Sequence, residues 1–82
     1  MNVDILKALS VQSRLSLLMK LGKCELCACV LPALVKKTQP TVSSHLKILY
    51  KAGLVNMRKD GAKRLYSLSP LGKKVLDEIR RW

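Results

Sequence analysis

Three cysteines fall within six residues of this chain: Cys24, Cys27 and Cys29. Thiolates that closely spaced suit a soft, thiophilic ion. As(III) or Sb(III) would take the three in a trigonal arrangement and need no fourth donor. Cd(II) or Zn(II) would want one more ligand, from a neighbour or from water. Secondary structure decides whether the sulfurs can converge. In a regular helix Cys27 and Cys29 diverge by about 200° and cannot share one ion. Pro32 offers a way out, because its ring clashes with the carbonyl four residues back, at Ala28, and regular helix should not extend far upstream. Cys24 and Cys27 are then expected in a flexible entry segment. Cys29 is expected near a helix N-terminus, where the helix dipole and nearby Lys23 favour the thiolate. Two other readings stand beside ligation. Cys27 shares the helical phase of Leu31 and Leu34, so it fits a plain core position. Two close thiols could instead close a disulfide in response to an oxidant.

A second constellation follows directly. Residues 38–68 read TQPTVSSHLKILYKAGLVNMRKDGAKRLYSL. Thr38 suits a helix cap and Pro40 tolerates only a first turn, so a helix is predicted from about Pro40 to Ala52, stopped by Gly53. Val42, Leu46 and Leu49 mark its buried side. Thr41, Ser44, Lys47, Ile48 and Lys51 point the other way, and Ser43 and His45 flank the boundary. Small polar side chains of this kind reach base edges in a major groove; Gln39 can bond an adenine edge with two hydrogen bonds. Lys47 and Lys51 would meet phosphate and set register. Ile48 suits either a thymine methyl or loose packing. Beyond the helix, Val55 and Met57 alternate with polar residues, Asp60-Gly61 is a strong hairpin turn, and Leu65, Tyr66 and Leu68 return. That hairpin carries Arg58, Lys59, Lys63 and Arg64 around its tip, placed to flank the DNA backbone or enter a minor groove.

The rest of the chain must position these two groups. At 82 residues with no composition break, one domain covering 1–82 is expected. A chain this short buries only about 60% of its unfolded surface, so a metal, a disulfide or a second copy would help it. Lys and Arg number 16 against 5 Asp and Glu, net +11. That excess favours a polyanionic partner, nucleic acid before an anionic membrane. No apolar run approaches the ~18 residues of a membrane span. The start, MNVDILKALS, lacks the charged-then-apolar pattern of a secretory signal, and an odd cysteine count does not suit a closed disulfide framework. A reducing, cytoplasmic setting is therefore expected. One histidine, few acids and no phosphate-binding glycine loop leave little for catalysis.

Val3, Leu6 and Leu9 are spaced for a short first helix. Ser10 can cap a second, in which Val11, Leu15, Leu18 and Leu21 share a face and which ends at Gly22. Leu31, Leu34 and Val35 resume the helical period, and Lys36–Pro40 is a short turn between two helices. Ser69-Pro70 opens a last helix with the stripe Leu71, Val75, Ile79 and Trp82. The predicted order is α-α-α-α-β-β-α: a mainly α fold with a small β-hairpin wing, a winged helix-turn-helix.

Two strings resemble motifs of the ArsR/SmtB family of winged-helix metalloregulators, the arsenical-resistance repressor type. ELCACVL at Glu25–Leu31 is similar to the family's ELCVCDL metal-binding box, and QPTVSSHLKILYKAGLV at Gln39–Val55 to its recognition-helix signature. The hairpin and the closing SLSPLGKKVLDEI also fit, so the likeness covers nearly the whole chain. It implies a homodimeric repressor that sits on a double-stranded DNA operator and leaves when a metal ion or metalloid binds. Cys27 and Cys29 correspond to the family thiolates, and Gln39, Thr41, Ser43, Ser44 and His45 to the DNA-facing segment. The chain departs from the pattern in having Val30 for the family aspartate, Pro32 inside the box, and Cys24 before the pair rather than after it. The acid-and-histidine zinc site of some relatives has no counterpart, since Ser69–Trp82 contains no histidine.

A dimer also follows from apolar stripes. Val3, Leu6 and Leu9 on the first helix, with Leu71, Val75, Ile79 and Trp82 on the last, exceed what one small core should cover. In such a dimer the recognition helices must lie about 34 Å apart to enter successive major grooves. Reshaping the cysteine segment would tilt them and spoil that spacing. The rival expectations are a DNA-binding regulator whose thiols answer oxidants or nothing, and a basic protein that coats nucleic acid without sequence choice.

Overall fold

The computed structural model describes residues 11–81. The expected first helix with Val3, Leu6 and Leu9, and Trp82 at the other end, lie outside the described residues. Four helices and three short strands follow in order: α1 (Gln12–Leu21), β1 (Leu26–Cys27), α2 (Leu31–Val35), α3 (Gln39–Lys51), β2 (Val55–Asp60), β3 (Lys63–Leu68) and α4 (Pro70–Arg80). This is the winged helix-turn-helix that the sequence predicts, with one added strand.

The core forms where the apolar faces meet. Leu17, Leu18 and Leu21 of α1, Leu31 of α2, and Val42, Leu46 and Leu49 of α3 are buried together with Leu54, Val55, Tyr66, Leu68, Val75 and Leu76. Val75 is therefore not part of an exposed stripe: it is 5% exposed, inside the chain's own core. Ile79 packs half-buried against the same core, while Leu71 stays open at 40% exposure. The last helix thus divides its apolar residues between the interior and the surface.

Caps fix the helix boundaries. Thr38 is the N-cap of α3, its hydroxyl accepting the Thr41 N–H at 3.4 Å. Ser69 caps α4, accepting the Gly72 N–H at 2.9 Å and donating to the Gly53 carbonyl at 2.6 Å. One buried hydroxyl therefore fastens the start of α4 to the exit of α3. Gly72 is required there, since a Cβ would run into the Leu54 carbonyl. For α1 the expectation differs from the structure. Its N-cap is Val11, in extended backbone, with no side-chain cap bond.

Between α2 and α3, Lys36 adopts a left-handed conformation (φ 57°, ψ 46°) and caps α2. It is the only non-glycine residue with positive φ among those described. This single residue turns the chain from one helix of the helix-turn-helix into the next.

The sheet order is β1-β3-β2, all antiparallel. The hairpin loop is Gly61-Ala62, because Asp60 pairs with Lys63 as the last ladder rung. Gly61 takes positive φ (62°) and Ala62 does not, the pattern of a type II′ turn with glycine first. The predicted Asp60-Gly61 turn is thus displaced by one residue. β1 has no counterpart in the predicted order, since a two-residue strand carries no readable period.

Candidate nucleic-acid interface and cysteine turn

The sequence of α3 fixes which of its side chains can face a partner. Val42, Leu46 and Leu49 point inward at 0–1% exposure. Gln39, Ser43, Ser44, Lys47 and Lys51 are exposed; Thr41, His45 and Ile48 are half-buried, and Ile48 packs against the core. Two of the polar pairs are bonded to each other. Thr38 and Thr41 join hydroxyl to hydroxyl at 2.9 Å, and the Gln39 side-chain amide donates to Ser43 Oγ at 3.1 Å. Gln39 and Ser43 are thereby held one turn apart on the exposed face, presented together.

His45 is engaged from behind. Arg14 of α1 donates from Nε to His45 Nδ1 at 3.3 Å. That contact requires a neutral imidazole with its proton on Nε2, an assignment that follows from the bond. Burial holds the imidazole below its ordinary value of 6.5, and the nearby charges of Arg14 and Lys37 push the same way. Sequence reading missed Arg14, which lies 31 residues from its partner.

The wing's four cations do not share one face. Residues opposite one another in a ladder point to the same side. Val55, Met57 and Lys59 pair with Leu68, Tyr66 and Arg64 and form the side that carries the core. Arg58 pairs with Leu65, and Leu65 pairs with Cys27, so these three lie in a row on the opposite side. Arg64 enters a groove of about 380 Å³ between α3 and the sheet, with Ser43, Lys47, Tyr50 and Tyr66. Two cations and three hydroxyls line that groove beside the apolar Ala28, Leu46 and Met57, and no carboxylate does. Such a lining suits an anionic backbone.

Arg58 meets an acid instead. Its Nε and Nη2 donate to the two carboxylate oxygens of Glu25 at 2.8 and 2.7 Å, a two-pronged pair. The Arg58 hydrogen bond holds the Glu25 carboxyl below its ordinary range, and Glu25 in turn raises the guanidinium's value.

The cysteine segment is a strand end and a turn. Leu26 and Cys27 pair with Tyr66 and Leu65, the Ala28 N–H donates to the Arg64 carbonyl at 2.9 Å, and the Val30 N–H closes the turn onto the Cys27 carbonyl at 3.1 Å. Cys27 is therefore on the sheet and not in helical phase with Leu31. Cys29 sits just ahead of α2, with Pro32 in that helix's first turn. The Cys29 N–H donates to Cys27 Sγ at 3.2 Å. The two sulfurs are joined as a disulfide, with Cα atoms 5.2 Å apart. Cys24 is exposed and free, beside a groove with Lys23, Glu25, Ser67 and Lys73. Among the described residues no three His, Cys, Asp or Glu side chains are gathered as a metal site. The structure brings Cys27 and Cys29 together and leaves Cys24 apart from them.

A sheet hinged to a helix-turn-helix, with a basic groove between, is the architecture of a winged-helix DNA-binding domain. Residues 11–57 match the family described as bacterial regulatory protein, arsR family. The chain is 47% identical over 75 residues to the arsenical resistance operon repressor of Staphylococcus aureus, covering 92% of this chain and 69% of that one. It is 35% identical over 78 residues to the repressor SmtB of Mycobacterium tuberculosis, spanning 58% of that protein's length. The structure of HlyU from Vibrio cholerae superposes with a TM-score of 0.86 at 34% identity, covering 96% of this chain and 87% of that one. The chain belongs to the ArsR/SmtB family of transcriptional repressors. It is a DNA-binding regulator and not an enzyme.

Proposed function

We propose that this chain is a homodimeric repressor that leaves its operator when Cys27 and Cys29 capture a soft metal or metalloid. As(III) or Sb(III) is the favoured guest, with Cd(II) or Zn(II) next. The observation that carries this reading is the convergence of the two sulfurs on the turn that feeds α2, the first helix of the helix-turn-helix. Two thiolates within bonding reach of each other can reach one ion between them. The third donor would be Cys24 after a rearrangement, since it is not beside the pair. The arsenical-resistance name of the Staphylococcus aureus relative supports a metalloid guest. Exposed Leu71 on α4, together with the apolar residues expected in 1–10, supports pairing of two copies. Gln39, Thr41, Ser43 and Ser44 would read bases, with His45 at their edge, while Lys47, Lys51, Lys59, Lys63 and Arg64 hold phosphate. The cytoplasm, where thiols stay reduced, is the matching location.

The test is a titration of As(III), Sb(III), Cd(II) and Zn(II) into reduced protein bound to a fragment of its own promoter. Release should correspond to a coupling of ~1–3 kcal/mol. Cys27→Ser should remain bound at guest concentrations that strip the natural chain. Retention of the natural chain with every ion would remove the sensing claim. Competition with random duplex separates a repressor from a basic coat, since a repressor should prefer its site by ~10³-fold or more.

The Cys27–Cys29 bond favours a second reading, an oxidant-driven switch at the same turn. Comparing reduced with oxidised protein on the same fragment, without any ion, tells the two apart.

A further inference from the structure

Arg58 is a wing cation that faces away from α3 and is already spoken for. Its Nε and Nη2 are both bonded to Glu25, two residues upstream of Cys27. In the sheet, Arg58, Leu65 and Cys27 occupy one row across β2, β3 and β1. The cysteine turn is therefore joined to the wing twice. Backbone hydrogen bonds join β1 to β3, and an ion pair reaches past β3 to β2. We infer that the Glu25–Arg58 pair is a strut that carries changes at Cys27 and Cys29 into the wing, and that Arg58 is reserved for it and does not contact DNA. The inference rests on Cys27 and Cys29 being responsive thiols.

Two features give the strut direction. The cysteine segment meets β3 only over Leu26, Cys27 and the Ala28 N–H, so a change in the turn can shift β1 against a short stretch of ladder. The two-pronged geometry resists rotation of the guanidinium, so a displaced Glu25 drags β2 where a single hydrogen bond would swivel. Glu25 and Arg58 are positioning residues: they act on the hairpin that presents Arg64 to the groove.

The first arm of the test measures binding to a 30-base-pair duplex of random sequence against salt. Arg64→Gln should flatten the salt dependence by about 0.9 in logarithmic slope, one phosphate contact. Arg58→Gln should leave the slope as it is; a loss equal to that of Arg64→Gln overturns the reservation of Arg58. The second arm uses a Cys24→Ser chain, so that only Cys27 and Cys29 can bond. Diamide takes two electrons and two protons from the pair, becoming its hydrazine, and dithiothreitol returns them. Amide hydrogen exchange over residues 56–60 of β2, which β1 does not touch directly, is read in both states. Closing the bond should change wing exchange by about fivefold or more in the Glu25 chain. Glu25→Gln should abolish the change, and the exchanged pair Glu25→Arg with Arg58→Glu should restore it. If bond closure alters duplex affinity but not wing exchange, the strut is overturned and the responsive thiols stand. If closure alters neither, the thiol reading falls and the strut with it. Capture of phenylarsine oxide by the reduced pair, read by mass spectrometry, tests the metalloid claim separately.

Discussion

Along α3, Val42, Leu46 and Leu49 are 0–1% exposed, the N-terminus is capped by Thr38, and the exit is clamped by Ser69. Between Gly22 and Val30 no residue is buried, and the segment is held by a two-residue strand, a few hydrogen bonds and the exposed Glu25–Arg58 pair. The DNA-reading helix and the thiol-bearing turn are thus built to opposite specifications. A reading head must keep its side chains in fixed register, which burial supplies. A sensor must move at low energetic cost, and segments with few buried contacts open first. The difference teaches where a guest's binding energy would be felt: in the turn and whatever is tied to it, not in the body of α3.

The sharpest way to break this contrast is to cut into both regions. Leu46→Ala should lower unfolding free energy by about 2–5 kcal/mol, as buried leucine truncations do. Val30→Ala, at an exposed site, should stay within about 0.5 kcal/mol. Equal losses in urea unfolding would mean that the turn is as firmly built as the helix. Next in size is Ser69→Ala, which removes a cap and the buried bond to Gly53. It should cost about 1–2 kcal/mol and loosen amide protection at the end of α3 before that at its start.

A pH series sharpens the comparison further, because each region has one displaced group. His45 is held below its ordinary 6.5 in the folded chain. The unfolded chain therefore binds the proton first, so stability is full above that value and falls as pH drops through it toward the folded value. Glu25 is held below 4.5 by Arg58, so its contribution is present above that value and is lost only as pH falls through the lower, folded one. The urea midpoint should therefore decline first in the histidine window. His45→Gln should flatten that decline and leave the acid limb unchanged; an unaltered decline would detach His45 from it. The smallest expected effect is at Lys36. Left-handed backbone costs a side-chain-bearing residue roughly 1 kcal/mol, so Lys36→Gly should be neutral to stabilising by up to that amount, and Lys36→Val should destabilise.

Local features of the sequence reached far into this fold. Thr38 and Ser69 are the caps expected, the inward face of α3 is the one its period predicts, and the basic hairpin follows the helix. What escaped prediction depends on partners distant in the chain. Arg14 and His45 are 31 residues apart, and Glu25 and Arg58 are 33 apart; no periodicity announces such pairs. Val75 looked like surface because its spacing fits an open stripe, and only the packing of α4 against α1 and β3 shows it covered. In the hairpin, Asp60-Gly61 advertised one turn, and the ladder closed one residue later because Gly61 supplies the left-handed first position that a II′ turn needs.

β1 has a consequence of its own. β3 is central only because Leu26 and Cys27 lie along one of its sides. A guest that lifts those two residues away would bare main-chain donors and acceptors at Arg64 and Tyr66, an open margin that invites a strand from another molecule. Letting go of DNA and sticking to a neighbour would then share one cause, and protein loaded at its thiols should tolerate less crowding than the empty form.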